Sequence, residues 1–250
     1  MRTARVMLPG GRCLEATLEA NNNKLLCSDG MEYSFDQVTW LPPVRPTKMV
    51  GLVLNYADHA NELGLTAPSE DPVLLLKPLN TLIGNNGSIV YPRGAKFVHY
   101  EAELAVVIGR QARRVRAEKV KDYIKGYTIA NDVTVRDYIT NTFRPPVRAK
   151  GFDTFCPVGP FLVTPDEIPD ASNLKLQTYV NGELKQQGST KDFIHPIPKL
   201  IEFITSFMTL EDGDLILTGT PKGISPIVPG DTVEIEIDHL GTLSNTVVPE

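Results

Sequence analysis

Glu101 and Glu103 stand one residue apart in the run His99-Tyr100-Glu101-Ala102-Glu103-Leu104-Ala105-Val106-Val107-Ile108-Gly109. The apolar tail of that run predicts a buried strand, and the two-residue period of a strand turns both carboxylates to one face. Like charges on one face at the mouth of an apolar strand repel each other and lose hydration. A divalent cation with oxygen ligands would offset both penalties; the alternative is a polar strand end in plain water. A third acid follows in Gly126-Tyr127-Thr128-Ile129-Ala130-Asn131-Asp132-Val133, a short apolar strand ending at Asp132. Functional groups collect where a chain changes direction. Three carboxylates suit Mg²⁺ or Mn²⁺, with positions left for water and substrate oxygens. Structural zinc suits them poorly, because Cys13, Cys27 and Cys156 show no paired ligand spacing.

Two further groups could do chemistry. Asn55-Tyr56-Ala57-Asp58-His59-Ala60-Asn61-Glu62-Leu63-Gly64 predicts a short helix stopped by glycine. His59 and Glu62 then share one face, either as a solvated pair or as an acid–base dyad on a movable lid. In Gly213-Asp214-Leu215-Ile216-Leu217-Thr218-Gly219-Thr220-Pro221-Lys222-Gly223 a strand runs into a loop whose N–H groups and hydroxyls could hold a carboxylate. The same loop could be a plain turn, and it lacks the spacing of a phosphate loop.

The elements that must position these groups are mainly strands. At 250 residues, 42% hydrophobic and 22% charged, the chain can bury a substantial core. A net charge of −5 without a basic stripe argues against nucleic acid as a partner. The longest apolar runs are about six residues, too short to span a membrane. The N-terminus lacks the apolar stretch of a signal peptide, and three scattered cysteines fit a reducing cytoplasm. Residues 1–46 read as a small β unit closed by the extended linker Leu41-Pro42-Pro43-Val44-Arg45-Pro46, with residues 47–250 as the main domain. Strand patterns cover Arg12 to Glu19, Lys24 to Cys27, Met49 to Leu54 and Val73 to Lys77, with turns at Asn21-Asn22-Asn23 and Asn85-Asn86-Gly87. Thr134-Val135-Arg136-Asp137-Tyr138 reads as helical. Gln177 to Val180 and Glu183 to Gln187 read as a hairpin about Asn181-Gly182. Pro198 to Met208 carries an apolar stripe at helical spacing, and Thr232 to Asp238 alternates with Val233, Ile235 and Ile237 inward. His195 and His239 read as loop residues.

In this order, several stretches resemble the fumarylacetoacetate hydrolase family. They are Asn55-Tyr56 with His59 and Glu62, Tyr100-Glu101-Ala102-Glu103-Leu104, Asn131-Asp132 with Arg136-Asp137, Lys150 before Phe152-Asp153-Thr154, and Thr218-Gly219-Thr220-Pro221-Lys222-Gly223. They span roughly residues 49–248. The finer similarity is to the branch acting on homoprotocatechuate (4-hydroxyphenylacetate) breakdown products. It rests on Val38-Thr39-Trp40-Leu41-Pro42-Pro43, His99-Tyr100-Glu101, Arg136-Asp137-Tyr138 with Arg144-Pro145, and Asn181-Gly182-Glu183-Leu184 with Gln186-Gln187-Gly188.

The resemblance implies an α+β, mainly β fold, a mixed β-roll with short flanking helices and the small N-terminal β unit. It implies Mg²⁺ or Mn²⁺ on Glu101, Glu103 and Asp132, and a 2-oxo acid substrate that is decarboxylated, isomerised at a double bond, or both. It gives Lys150 and Arg136 to substrate carboxylates, and Gly219 and Thr220 to the carboxylate or oxo group. Asn55 and Tyr56 join the substrate-binding set, His59, Glu62 and Lys150 the catalytic set, and His99 an outer, supporting position. It further implies a homodimer or pairing with a homologous subunit, since some members fuse two such halves. Acylpyruvate hydrolases and oxaloacetate decarboxylases share the same site, and a non-catalytic scaffold subunit is a reading of a different class. One departure bears on this choice. Many members carry glutamine three residues after the arginine matching Arg136, where this chain has Ile139; that leans against hydrolysis of a β-diketone.

Overall fold

The computed structural model describes residues 1–18, 24–66, 70–139 and 145–250. The expected turn at Asn21-Asn22-Asn23, the end of the second strand at Glu19, and Arg144 lie outside the described residues.

The apolar run after the glutamates becomes the strand Ala102–Ile108, buried along its whole length. Such a strand must be covered on both faces, and it lies in the middle of the main sheet. On one side it pairs antiparallel with Ile124–Asn131, bringing Ala102 opposite Asn131. On the other it pairs with Leu215–Leu217, which runs parallel to Met49–Val53. The edge strand Val73–Lys77 closes that side. Beyond Ile124–Asn131 lie Cys156–Val163 and then Arg2–Met7, Cys13–Leu18, Lys24–Cys27 and Glu32–Ser34. The N-terminal strands therefore continue the main sheet. Trp40, on Thr39–Leu41, packs edge-on against Phe35 and Phe161 at 5.2 and 5.4 Å and fastens this extension to Cys156–Val163.

A second sheet is built from Glu183–Ser189, Lys175–Val180, Thr232–Ile237, Gly241–Pro249 and Ser88–Tyr91. Its hairpin turns at Asn181 and Gly182, whose φ values of 53° and 80° are those the right-handed twist of a tight hairpin demands. Thr232–Ile237 buries Val233, Ile235 and Ile237, as its alternation requires. A small third sheet joins Thr134–Val135, Val98–His99 and Pro226–Ile227. The helices are short: α1, Ala57–Glu62; α2, Val147–Lys150; and α3, Ile197–Phe207, which buries Leu200, Ile201 and Ile204. The α+β, mainly β expectation holds. No helix among the described residues is long and apolar enough to cross a membrane.

One segment departs from the sequence reading. Thr134–Val135 is a strand, and only Arg136–Tyr138 forms a single 3₁₀ turn. Val133, Thr134 and Val135 are β-branched and favour extended backbone. Pairing with Val98–His99 decides the matter, and Asp137 accepts the Lys96 and Phe97 N–H groups instead of capping a helix.

The junction after the proline-rich stretch is held by Asp214. Its buried carboxylate accepts from the Thr47 N–H and hydroxyl, the Lys48 N–H and the Glu211 N–H at 2.7–3.0 Å, and pairs with the Lys48 ammonium at 2.5 Å. Burial alone would raise the Asp214 carboxyl, but these partners hold it below the usual carboxylate range.

Candidate active site

The register of the two central strands sets the site. Glu101 immediately precedes Ala102–Ile108 and Glu103 lies inside it, while Asp132 follows the last residue of Ile124–Asn131. The Asp132 N–H donates to the Glu101 carbonyl at 2.9 Å, and the Asn131 side chain accepts from the Glu101 N–H at 3.0 Å. Glu101, Glu103 and Asp132 are all buried, and one carboxylate oxygen from each lies within 4.8 Å of the others.

Positive charge is drawn in around them. Lys150, at the end of α2, donates to Glu101 Oε2 at 2.8 Å, Asp132 Oδ2 at 2.5 Å and the Thr134 hydroxyl at 2.8 Å. Burial would lower the Lys150 ammonium, but Asp132 and Glu101 more than reverse that and raise it. Arg136 approaches Glu101 Oε1 at 3.6 Å from the edge of the site. Burial pushes Asp132 up, yet Lys150 and Lys77 outweigh it, so its carboxyl sits low. Glu103 is different. Its carboxylate accepts the Gly219 N–H at 2.7 Å, and burial next to Asp132 and Glu101 pushes its carboxyl well above the usual range. Three hard oxygen donors converge here with Glu103 short of positive charge, so the donor set fits Mg²⁺ or Mn²⁺.

The remaining candidates surround this group unevenly. His59 Nδ1 lies 3.0 Å from Glu62 Oε2, and Glu62 Oε1 accepts the Gly223 N–H at 2.9 Å. The α1 pair therefore docks on the loop after Leu215–Leu217. Gly219 adopts φ 89°, and any Cβ there would meet Asn55 Cβ at 2.9 Å; a glycine is needed. Asn55 is engaged by the scaffold: its amide donates to the Thr218 and His195 carbonyls and accepts the His195 N–H. Tyr56 is buried edge-on against Phe193 at 5.1 Å, and burial raises its phenol. Thr220 lies buried beside Gly219. His99 is half-buried, its Nδ1 meets no partner among the described residues, and burial and Arg136 lower its pKa. Ile139 closes the 3₁₀ turn, partly exposed.

Two residues carried no site role in the sequence reading. Lys77, buried at the end of the edge strand, donates to Asp132 Oδ1 at 2.5 Å and to the Lys150 carbonyl at 2.9 Å. A lysine closing the apolar run Val73-Leu74-Leu75-Leu76 was its only sequence signal. Gln186, buried on Glu183–Ser189, donates to the Thr220 hydroxyl oxygen and the Pro221 carbonyl, both at 2.8 Å. In the sequence it stood only within the Gln186-Gln187-Gly188 match, with no role of its own, on a polar, mostly exposed strand.

A mixed β fold with buried carboxylates gathered at strand ends defines a class of acid-centred enzymes. The family model for the fumarylacetoacetate (FAA) hydrolase C-terminal matches residues 48–248, and the chain belongs to the fumarylacetoacetate hydrolase family. It is 44% identical over 239 residues to the 4-hydroxyphenylacetate degradation bifunctional isomerase/decarboxylase of Salmonella dublin, covering 96% of this chain and 55% of that protein. The chain thus spans about half the length of the first curated relatives it matches. Among solved structures, 5-carboxymethyl-2-hydroxymuconate delta-isomerase from Mycobacterium smegmatis superposes with a TM-score of 0.89 at 42% identity, over 100% of this chain and 99% of that one. Maleylpyruvate hydrolase from Sphingobium sp. SYK-6, in complex with manganese(II) ion and pyruvate, gives 0.83 at 30% identity, over 100% of this chain and 99% of that one.

Proposed function

We propose that this chain catalyses decarboxylation, double-bond isomerisation, or both, of an unsaturated 2-oxo di- or tricarboxylate from aromatic breakdown, with Mg²⁺ or Mn²⁺ as cofactor. The observation that carries this is the convergence of Glu101, Glu103 and Asp132 beside Lys150 and Arg136. The likeness to an isomerase/decarboxylase and to an isomerase structure supports the choice of reaction.

Glu101, Glu103 and Asp132 would hold the cation, which when bound supplies Lewis-acid stabilisation of negative charge on a substrate oxygen. Lys150 and Arg136 attract the carboxylates of a multiply charged substrate. The Gly219–Thr220 segment seats its 2-oxo acid end. Loss of CO₂ leaves an electron pair on carbon that must take up a proton; isomerisation removes a proton at one carbon and returns it at another. Glu62 accepts at one oxygen from the Gly223 N–H, and as a carboxylate it holds the proton of His59 on Nδ1. Nε2 is then the atom that moves protons. Asn55 and Tyr56 contribute by bracing the loop against residues 193–195.

The Gly219–Thr220 loop and acid centre would serve equally in an acylpyruvate hydrolase or oxaloacetate decarboxylase; Ile139, where many members carry glutamine, disfavours the hydrolase. The chain works in the cytoplasm, as a homodimer or with a homologous subunit, and the strands of residues 1–46 extend the main sheet of the catalytic domain. The test is 5-oxopent-3-ene-1,2,5-tricarboxylate supplied with Mg²⁺ and then with EDTA. CO₂ release that requires metal is expected, with loss of the dienoate ultraviolet band if isomerisation follows. Cleavage of acetylpyruvate or oxaloacetate alone would replace the substrate; no metal-dependent turnover of any of them would leave the scaffold reading.

A further inference from the structure

The Gln186 side chain has one possible orientation. Its Oε1 faces the Ala102 N–H at 3.4 Å, which can only donate, and its Nε2 faces the Pro221 carbonyl at 2.8 Å, which can only accept. Rotating the amide by half a turn would set donor against donor and acceptor against acceptor. The Thr178 hydroxyl completes the arrangement by donating to Oε1 at 3.0 Å. The second N–H of Nε2 is therefore directed at Thr220 Oγ1, 2.8 Å away. Thr220 must accept that bond, which leaves its own hydroxyl proton to donate elsewhere. Among the described residues it has no acceptor for that proton, although it is buried and adjoins Gly219, whose N–H binds Glu103. The close approach that makes this possible is built in at Gly188, where a Cβ would lie 2.5 Å from Pro221 Cβ.

We infer that Gln186 is a positioning residue that fixes Thr220 as a hydrogen-bond donor into the site, so that the substrate group seated there must be an acceptor oxygen, a carboxylate or a 2-oxo oxygen. This rests on the reading of the Gly219–Thr220 loop as the seat of a 2-oxo acid. A charge on the protein is not required for it. The hairpin strand Glu183–Ser189 imposes the polarity through a neutral amide that never touches the ligand.

Oxalate, an unreactive dicarboxylate that can mimic a 2-oxo acid, is the probe, titrated by calorimetry into the Mn²⁺-loaded chain. Gln186→Leu removes the N–H donors without adding a charge, so nothing holds the Thr220 hydroxyl as an acceptor; oxalate affinity is expected to fall about tenfold to a hundredfold. Thr220→Val should lose a similar factor and Thr220→Ser should retain affinity. The Gln186→Leu/Thr220→Val pair should lose no more than Thr220→Val alone, because both act through one hydroxyl. Mn²⁺ affinity, measured in parallel, should move little, separating positioning from collapse of the site, while the melting temperature falls because the lost amide leaves buried groups unpaired. Gln186→Leu binding oxalate within twofold of wild type, or additive losses in the double variant, would overturn the inference while leaving the loop as the seat. Wild-type protein that binds Mn²⁺ but not oxalate would overturn the seat itself, and this inference with it.

Discussion

Lys77 and Asp132, 55 residues apart in the chain, meet as a buried ion pair at 2.5 Å. The same ammonium holds the carbonyl of Lys150, whose side chain binds the other oxygen of Asp132. The two lysines thus grip one carboxylate from both sides and fix which of its edges faces Glu101 and Glu103.

Lys77→Met should destabilise the fold by about 2–3 kcal/mol, because Asp132 Oδ1 and the Lys150 carbonyl lose their shared donor while Lys150 still pairs Oδ2. Urea unfolding gives the number. A loss below about 1 kcal/mol would mean that Lys150 alone satisfies Asp132.

Glu103→Ala should abolish turnover and Mn²⁺ binding together, exceeding the roughly 10–100-fold that loss of an outer partner costs. Lys150→Ala should chiefly raise KM. Turnover by Glu103→Ala in EDTA would remove the metal role altogether.

Acid should loosen the junction at Thr47–Lys48. Asp214 titrates lower in the folded chain than its unfolded value of about 3.9. Its contribution is therefore complete above that value and is lost as pH falls through the lower folded value. Asp214→Ala should cost about 3 kcal/mol at neutral pH by leaving several buried donors unpaired, and its stability should depend less on pH below about 4 than that of the parent. Thermal melts from pH 7 to 3 compare the two slopes.

Only one cysteine should react with iodoacetamide under native conditions. Cys13 is exposed, whereas Cys27 is buried with its thiol raised, and burial pushes the Cys156 thiol up to about 12. Intact mass at pH 8 should show one adduct, and three after denaturation.

Much of this molecule was legible because its signals are local. The apolar run Leu104 to Ile108, the alternation of Thr232 to Ile237 and the Asn181-Gly182 turn each declare their structure within a few residues. The gathering of Glu101 and Glu103 followed from strand period, and Asp132 joined them because Asn131 pairs with Ala102. Lys77 and Gln186 were opaque for the opposite reason. Their partners lie 55 and 34 residues away, and no local pattern encodes which distant oxygen a lysine or an amide will meet. Thr134–Val135 was misread because a third, small sheet claimed it through pairing that only tertiary structure supplies.

The hydrogen bond from the Gly223 N–H to Glu62 joins the short helix α1 to the same five-residue bend that Gln186 braces through Thr220 and Pro221. Cover and seat are thereby one mechanical unit. Whatever anion settles on Thr220 steadies the bend on which His59 and Glu62 rest, and whatever seats α1 steadies the bend in return. Linkage makes the two effects equal, so if the loop seats an anion as proposed, His59 and Glu62 are most firmly in place when it is filled.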